Sequence, residues 1–336
     1  MVQAGRMNTR ITRSPHVAAT ILRKGGLVAF PTETVYGLGA DALNTAAVNA
    51  IFRAKGRPHD NPLIVHIAHR DQLAQVAAHV SPVAQTCIDH FFPGPLTVIV
   101  PRHPDLSAAV TAGLDTVGVR LPGHPVAHAF LTACGCPVAA PSANRSGRPS
   151  PTYWSAVAHD LNGRIDCILK GNAATIGLES TVVDCTRSRP VILREGAVSR
   201  EQLETVLPDL ARTGRRHQRG AVRSPGIKYR HYAPDASVLL VAGPHEVSGP
   251  QADRAAFIGL DNTGFSVKPL RARFCRDEAE YARVLFRFFR ECERSNIRTI
   301  YCQRVPATGL GRALMDRLQR ASNAGPPPRT EPHPPD

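Results

Sequence analysis

Residues 26–67 read GLVAFPTETVYGLGADALNTAAVNAIFRAKGRPHDNPLIVHI. Leu27–Phe30 is a short apolar run stopped by Pro31, which is the signature of a buried strand. The polar turn Thr32-Glu33-Thr34 follows, then a glycine-rich stretch through Gly39. Ala46–Lys55 carries helical spacing, and Pro62–Ile67 is apolar over the length of a strand. Strand, turn, helix and strand in one stretch predict an α/β fold. Outward from it the pattern repeats. Residues 15–24 predict a helix closed by Gly25-Gly26, and further helices are predicted at 71–79, 81–91, 125–134 and 152–161. Strands are predicted at Leu96–Pro101, Val117–Leu121, Val138–Ala140, Cys167–Leu169, Ser180–Asp184 and Val191–Leu193. So many short strands among helices require a large sheet.

The character changes after Arg194. Residues 212–232 hold seven basic residues, no acid and the breaker Ser224-Pro225-Gly226, the composition of a linker. Beyond it, strands are predicted at Ser237–Ala242, Ala255–Leu260 and Ile297–Gln303, with helices at Asp277–Arg294 and Leu310–Ala321. That order predicts a small Rossmann-like parallel-sheet domain. On the Asp277–Arg294 helix, Val284, Leu285, Phe288, Phe289 and Cys292 share one face, and Arg283, Arg287, Arg290 and Arg294 stripe the other. A solvated arginine face is expected there.

The chain has 336 residues, enough for two domains and a core that needs no staples. Its net charge of +14 points to an anionic partner: nucleic acid, nucleotide, phosphate or an acidic surface. No apolar run approaches the ~18 residues of a membrane span, so no membrane association is expected. The eight cysteines form no C-x-x-C and the His residues no metal spacing, which predicts reduced thiols in a cytoplasmic protein without a metal held by side chains. Residues 1–14 are basic and acid-poor and read as a flexible arm, and the proline-rich stretch 323–336 as a disordered tail.

Three constellations can carry chemistry. Lys55-Gly56-Arg57-Pro58 puts two cations at a helix C-terminus, a pairing that suits a polyphosphate but also complements the helix dipole. Pro141–Ser150 (PSANRSGRPS) follows an apolar strand with hydroxyls, an amide and small residues able to nest an anion. Thr32-Glu33-Thr34 offers hydroxyls and a carboxylate just past a strand, where α/β ligand sites sit. No Walker A, G-x-S-x-G or H-E-x-x-H occurs.

Together, Gly26–Ile67, Thr116–Pro122, Pro141–Pro151, Gly177–Asp184 and Leu193–Gly196 resemble the YrdC/Sua5 family. Ser224–Pro234 (SPGIKYRHYAP) resembles the linker of its two-domain form, and the ending with Pro306–Gly311 and Met315 resembles that form's C-terminal domain. The resemblance implies a YrdC-like twisted α/β domain over 15–210 with a concave basic cavity, a linker and lid over 211–234, and a smaller domain over 235–322. It implies synthesis of L-threonylcarbamoyl-AMP and pyrophosphate from L-threonine, bicarbonate (or CO₂) and ATP, with Mg²⁺ carried by the nucleotide. The product would feed a tRNA threonylcarbamoyltransferase that modifies the adenosine next to the anticodon. Residue by residue, the resemblance assigns Lys55, Arg57, Asn61, Thr116, Ser142, Asn144, Ser150 and Arg194 to ATP, with Lys55 and Arg57 also catalytic. It assigns Thr34, His66, Arg120, Ala140 and Ser180 to threonine, and His231 and Tyr232 to a closure over the nucleotide.

Two other classes are open to a basic concavity of this kind: a non-catalytic RNA-binding protein and a nucleotide-binding regulatory module. Neither predicts pyrophosphate release that depends on threonine and bicarbonate. A carbamoyltransferase with a related domain would carry extra zinc-binding cysteine modules, which this chain lacks.

Overall fold

The computed structural model describes residues 8–211, 232–249 and 251–323. His231 and most of the basic linker lie outside the described residues, as do the first seven residues and the proline-rich tail. The first domain is built on a ten-stranded sheet whose strands, in chain order, are β1 (Arg10–Thr12), β2 (Val28–Phe30), β3 (Gly37–Asp41), β4 (Ile64–His66), β5 (Leu96–Pro101), β6 (Thr116–Arg120), β7 (Val138–Ala139), β8 (Cys167–Leu169), β9 (Thr181–Asp184) and β10 (Val191–Arg194). Across the sheet the order is β1-β8-β2-β3-β7-β4-β6-β5-β9-β10. Parallel and antiparallel pairs occur together along it, with three consecutive antiparallel pairs from β2 to β4, so the topology is mixed rather than doubly wound.

Two strands depart from the sequence reading. Arg10–Thr12, expected within a flexible arm, pairs in parallel with β8, and the Thr9 hydroxyl donates to Ile165 O at 2.7 Å. The glycine-rich stretch after the turn is strand β3, antiparallel to β2. Small residues there let neighbouring strands approach closely: a Cβ on Gly39 would stand 2.8 Å from Val138 Cγ1. The helix expected over 71–79 shortens to a 3₁₀ turn, Arg70–Gln72, and one helical turn, Leu73–Val76.

The second domain is a four-stranded, all-parallel sheet in the order β11-β14-β12-β13. Its strands are β11 (Ser237–Val241), β12 (Ala256–Gly259), β13 (Arg271–Phe274) and β14 (Thr299–Gln303). The helices Glu278–Arg294 and Gly309–Asn323 complete it. Strand β13 was hidden in the sequence because it is a largely exposed edge.

The two domains share a core and a charged seam. Val35 and Leu178 of the first domain are buried in the apolar cluster of the second, beside Leu285, Phe286 and Leu314. Gly177 abuts the helix backbone directly: a Cβ there would fall 2.4 Å from Arg283 Cα. The expected solvated arginine stripe is corrected by this packing. Arg283 and Arg287 stay exposed, but Arg290 is 2% exposed and forms a bidentate pair with Asp160. Arg294 donates to the Tyr153 hydroxyl at 3.3 Å, and Arg148 reaches across to Glu293 at 2.9 Å. Arg290 and Arg294 thus turn to the first domain, which supplies the acid and the aromatic hydroxyl they meet, while Arg287 pairs with Glu291 on its own helix.

Candidate functional site

The helix Thr45–Lys55 starts at Asn44, whose side chain caps Ala47 N, and ends at Gly56 in the left-handed conformation (φ 61°). That reversal turns Arg57 back under the helix, where its Nε donates to Asn61 O and its Nη2 to Pro62 O. Lys55 is 3% exposed, and its Nζ donates to the carbonyls of Ser142 and Asn144. The same loop is tied to β3 by Leu38 N to Pro141 O and Ala143 N to Tyr36 O, both at 2.8 Å. Asn144 closes it from within, its Nδ2 donating to Arg145 O and Arg148 O. Lys55 therefore clamps the 141–150 loop, and burial together with the Arg57 charge holds its amine well below the usual lysine range.

The loop overhangs a cleft of about 610 Å³, open mouth included. Strands β4 and β6 run parallel and place His66 opposite Arg120 at their carboxyl ends, on the cleft wall. Arg57, Thr34, Ala140 and Ser142 line the same cleft, as do Ser180, Arg194 and Tyr232. Nine of the residues assigned by resemblance thus face one space. Arg120 is fixed on three sides: Nε donates to Gly94 O, Nη1 to Thr34 Oγ1 at 2.9 Å, and Nη2 pairs with Glu33 at 2.7 Å. Burial raises the Glu33 carboxyl, but the Arg120 charge and hydrogen bonds hold it below its ordinary value, so it stays ionised. Burial and the neighbouring Arg120 push the His66 imidazole down to about 3, leaving it neutral. Arg194 wraps Ser180, donating to its carbonyl and, through Nη2, to its hydroxyl at 3.1 Å. The Ser180 hydroxyl also meets Thr97 Oγ1 at 2.8 Å.

Asn61, next in sequence to the cleft-lining Pro62, is 2% exposed, and among the described residues neither end of its amide has a hydrogen-bond partner. Ser150 is buried behind the wall, donating to Glu179 Oε1 at 2.6 Å. Thr116 stands apart from the other assigned residues. It occupies the opposite end of β6 from Arg120, in a small hollow that shares Pro62, Leu63 and Ile64 with the cleft.

Sequence alone assigns no individual role to three residues of the site. Glu33 reads only as the carboxylate of a turn that could hold a ligand, and Glu179 and Arg317 are assigned nothing. Glu179 lines the cleft, and its second oxygen accepts from Arg317 Nε at 2.9 Å. Arg317, from the helix Gly309–Asn323, is completely buried, and its guanidinium carbon lies 5.1 Å from the Tyr232 ring centroid. Tyr232 stacks on Phe286 at 5.5 Å and adopts φ 66°, a strained conformation for a residue with a side chain. The tyrosine that ends the linker is thus gripped by the second domain while it lines a cleft of the first.

A Sua5–YciO–YrdC family model, described as telomere recombination, matches residues 20–196, and a model described as threonylcarbamoyl-AMP synthase, C-terminal domain, matches residues 198–323. The chain is similar to the threonylcarbamoyl-AMP synthase of Pyrococcus abyssi, 42% identical over 91% of this chain and 93% of the relative. It is 43% identical to the Bacillus subtilis protein of the same name over 93% of this chain and 94% of that one. The fold matches the crystal structure of P. abyssi Sua5 complexed with L-threonine with a TM-score of 0.84, at 38% identity, over 94% of this chain and 97% of that one.

Proposed function

The chain belongs to the Sua5–YciO–YrdC family in its two-domain form, and from that premise we propose that it is a threonylcarbamoyl-AMP synthase acting on L-threonine, bicarbonate and ATP. The observation that carries this reading is the convergence of Arg57, Arg120 and Arg194 on one cleft walled by Thr34, Ser142 and Ser180. The neutral amine of threonine captures CO₂, formed from bicarbonate and a proton with loss of water, as a carbamate, and the amine proton passes to solvent. A carbamate oxygen then attacks the α-phosphorus as pyrophosphate departs in line. Such a transfer needs positioning and positive charge more than proton transfer. His66, neutral and buried, suits packing and hydrogen bonding to threonine rather than charge compensation.

In this reading Arg120, locked by Glu33, Thr34 and Gly94, presents its fork to the threonine carboxylate. Arg57 and Arg194 face the developing phosphate charge, and Ser142 and Asn144 form the loop that receives the nucleotide. Lys55 supports catalysis by clamping that loop. Mg²⁺ enters with ATP. The cleft's two nearby carboxylates, Glu33 and Glu179, are each held by an arginine, which leaves the phosphate oxygens as the fitting ligands for the ion. Tyr232, with His231 beside it in sequence, would shield the water-labile carbamate. The product would pass to a transferase acting on tRNA. Eight free thiols suit a cytoplasmic setting. Among the described residues no helix is long and apolar enough to cross a membrane.

The deciding experiment is mass spectrometry of the product formed by purified protein with ATP, threonine and bicarbonate. Threonylcarbamoyl-AMP is expected, and pyrophosphate release indifferent to threonine and bicarbonate would sink the proposal.

A further inference from the structure

We propose that Arg317, delivered by the second domain, is a positioning residue for the nucleotide site, which it serves by neutralising Glu179 so that the cleft can accept a polyphosphate. The inference rests on the synthase reading for the identity of that ligand. Glu179 is the acid that lines the cleft, next to Arg194 and Tyr232. Its two oxygens are divided between partners: Oε1 accepts from Ser150 and Oε2 from Arg317. At 7% exposure, water does little to screen it. Bare, it would repel phosphate at short range and compete for Arg194.

Arg317 meets this need from the far side of the wall. It has no exposed surface, pairs with Glu179 and with Asp316, and lies over the ring of Tyr232. One side chain therefore sets the charge of the cleft wall and the seat of the tyrosine closing it. Ser150 depends on the same arrangement, because the carboxylate that fixes its hydroxyl is itself fixed by Arg317.

The test compares the full-length chain with Arg317→Met, Glu179→Gln and the double variant Arg317→Met/Glu179→Gln, all checked by thermal unfolding. MgATP binding is measured by calorimetry, and threonine KM from pyrophosphate release. Arg317→Met is expected to weaken MgATP binding by about tenfold or more while threonine KM moves less than about threefold. The double variant, which removes both charges of the pair, is expected to recover at least about fivefold of that loss. A double variant as weak as Arg317→Met overturns the proposal, since Arg317 would then act on phosphate directly or as packing. Unchanged binding by Arg317→Met overturns it as well. If Arg317→Met does not fold, the double variant against Glu179→Gln decides: equal affinity supports the proposal, and loss overturns it. If the unmodified protein makes no threonylcarbamoyl-AMP, the synthase reading falls, while the MgATP comparison still decides the role of Arg317.

Discussion

Arg290 and Asp160, 130 residues apart in sequence, meet through two hydrogen bonds of 3.0 and 2.8 Å with almost no exposed surface on either side. Burial alone would raise the Asp160 carboxyl, but Arg290, aided by Arg148, holds it below its ordinary value. Arg290 also donates to Pro149 O, so the pair anchors the end of the nucleotide loop to the second domain. Arg290→Met leaves a buried carboxylate stranded and should destabilise the protein by about 3–5 kcal/mol in urea unfolding. Adding Asp160→Asn should recover much of that loss. Equal stability of Arg290→Met and the unmodified chain would show that the pair is not what holds the seam.

The Lys55→Ala/Arg57→Ala double variant should lower threonine-dependent pyrophosphate release by about 100-fold or more, because it removes the loop clamp and a cleft cation together. Lys55→Met alone should act through the loop and raise the KM for ATP. Near-normal turnover of the double variant would remove both residues from the mechanism.

Glu33→Gln should raise the KM for threonine by about five- to tenfold and leave that for ATP nearly unchanged, since the change frees the Arg120 fork from its anchor. Steady-state kinetics with each substrate varied in turn separates the two. An effect confined to ATP would contradict the threonine role given to Arg120.

Stability should fall on the acid side because of His66. The unfolded chain takes up a proton on this residue below about 6.5, whereas the folded protein refuses it until about 3. Within that window the unfolded state binds more protons, so His66 lowers stability by up to about 1.4 kcal/mol per pH unit as pH drops. His66→Asn should flatten that slope when urea unfolding is compared at pH 7, 6 and 5. An unchanged slope would place the acid sensitivity elsewhere.

Local signals made most of the first domain legible. Apolar runs such as Pro62–Ile67, and the Lys55-Gly56-Arg57 turn at a helix end, carry their reading within a few residues. What stayed hidden depends on distant partners. Arg10–Thr12 looks like a frayed basic arm until β8 is there to pair with it. Arg290 and Arg317 look like ordinary helix-surface arginines, because the acids that bury them lie 130 and 138 residues earlier. Lys55 illustrates the same limit within a recognised motif: its residue type suggested phosphate contact, but the carbonyls it holds come from a loop 87 and 89 residues onward.

The seam also bears on how such a chain can be cut. Severed after its tenth strand, the first half would keep every residue of β4 and β6 at the cleft, yet it would lose Arg290 and Arg317, leaving Asp160 with the longer contact to Arg148 and Glu179 without its arginine. Both carboxylates would then need new neighbours or new identities. In this sequence the second half is not a detachable module, and a viable one-domain descendant would have to change its acids along with its length.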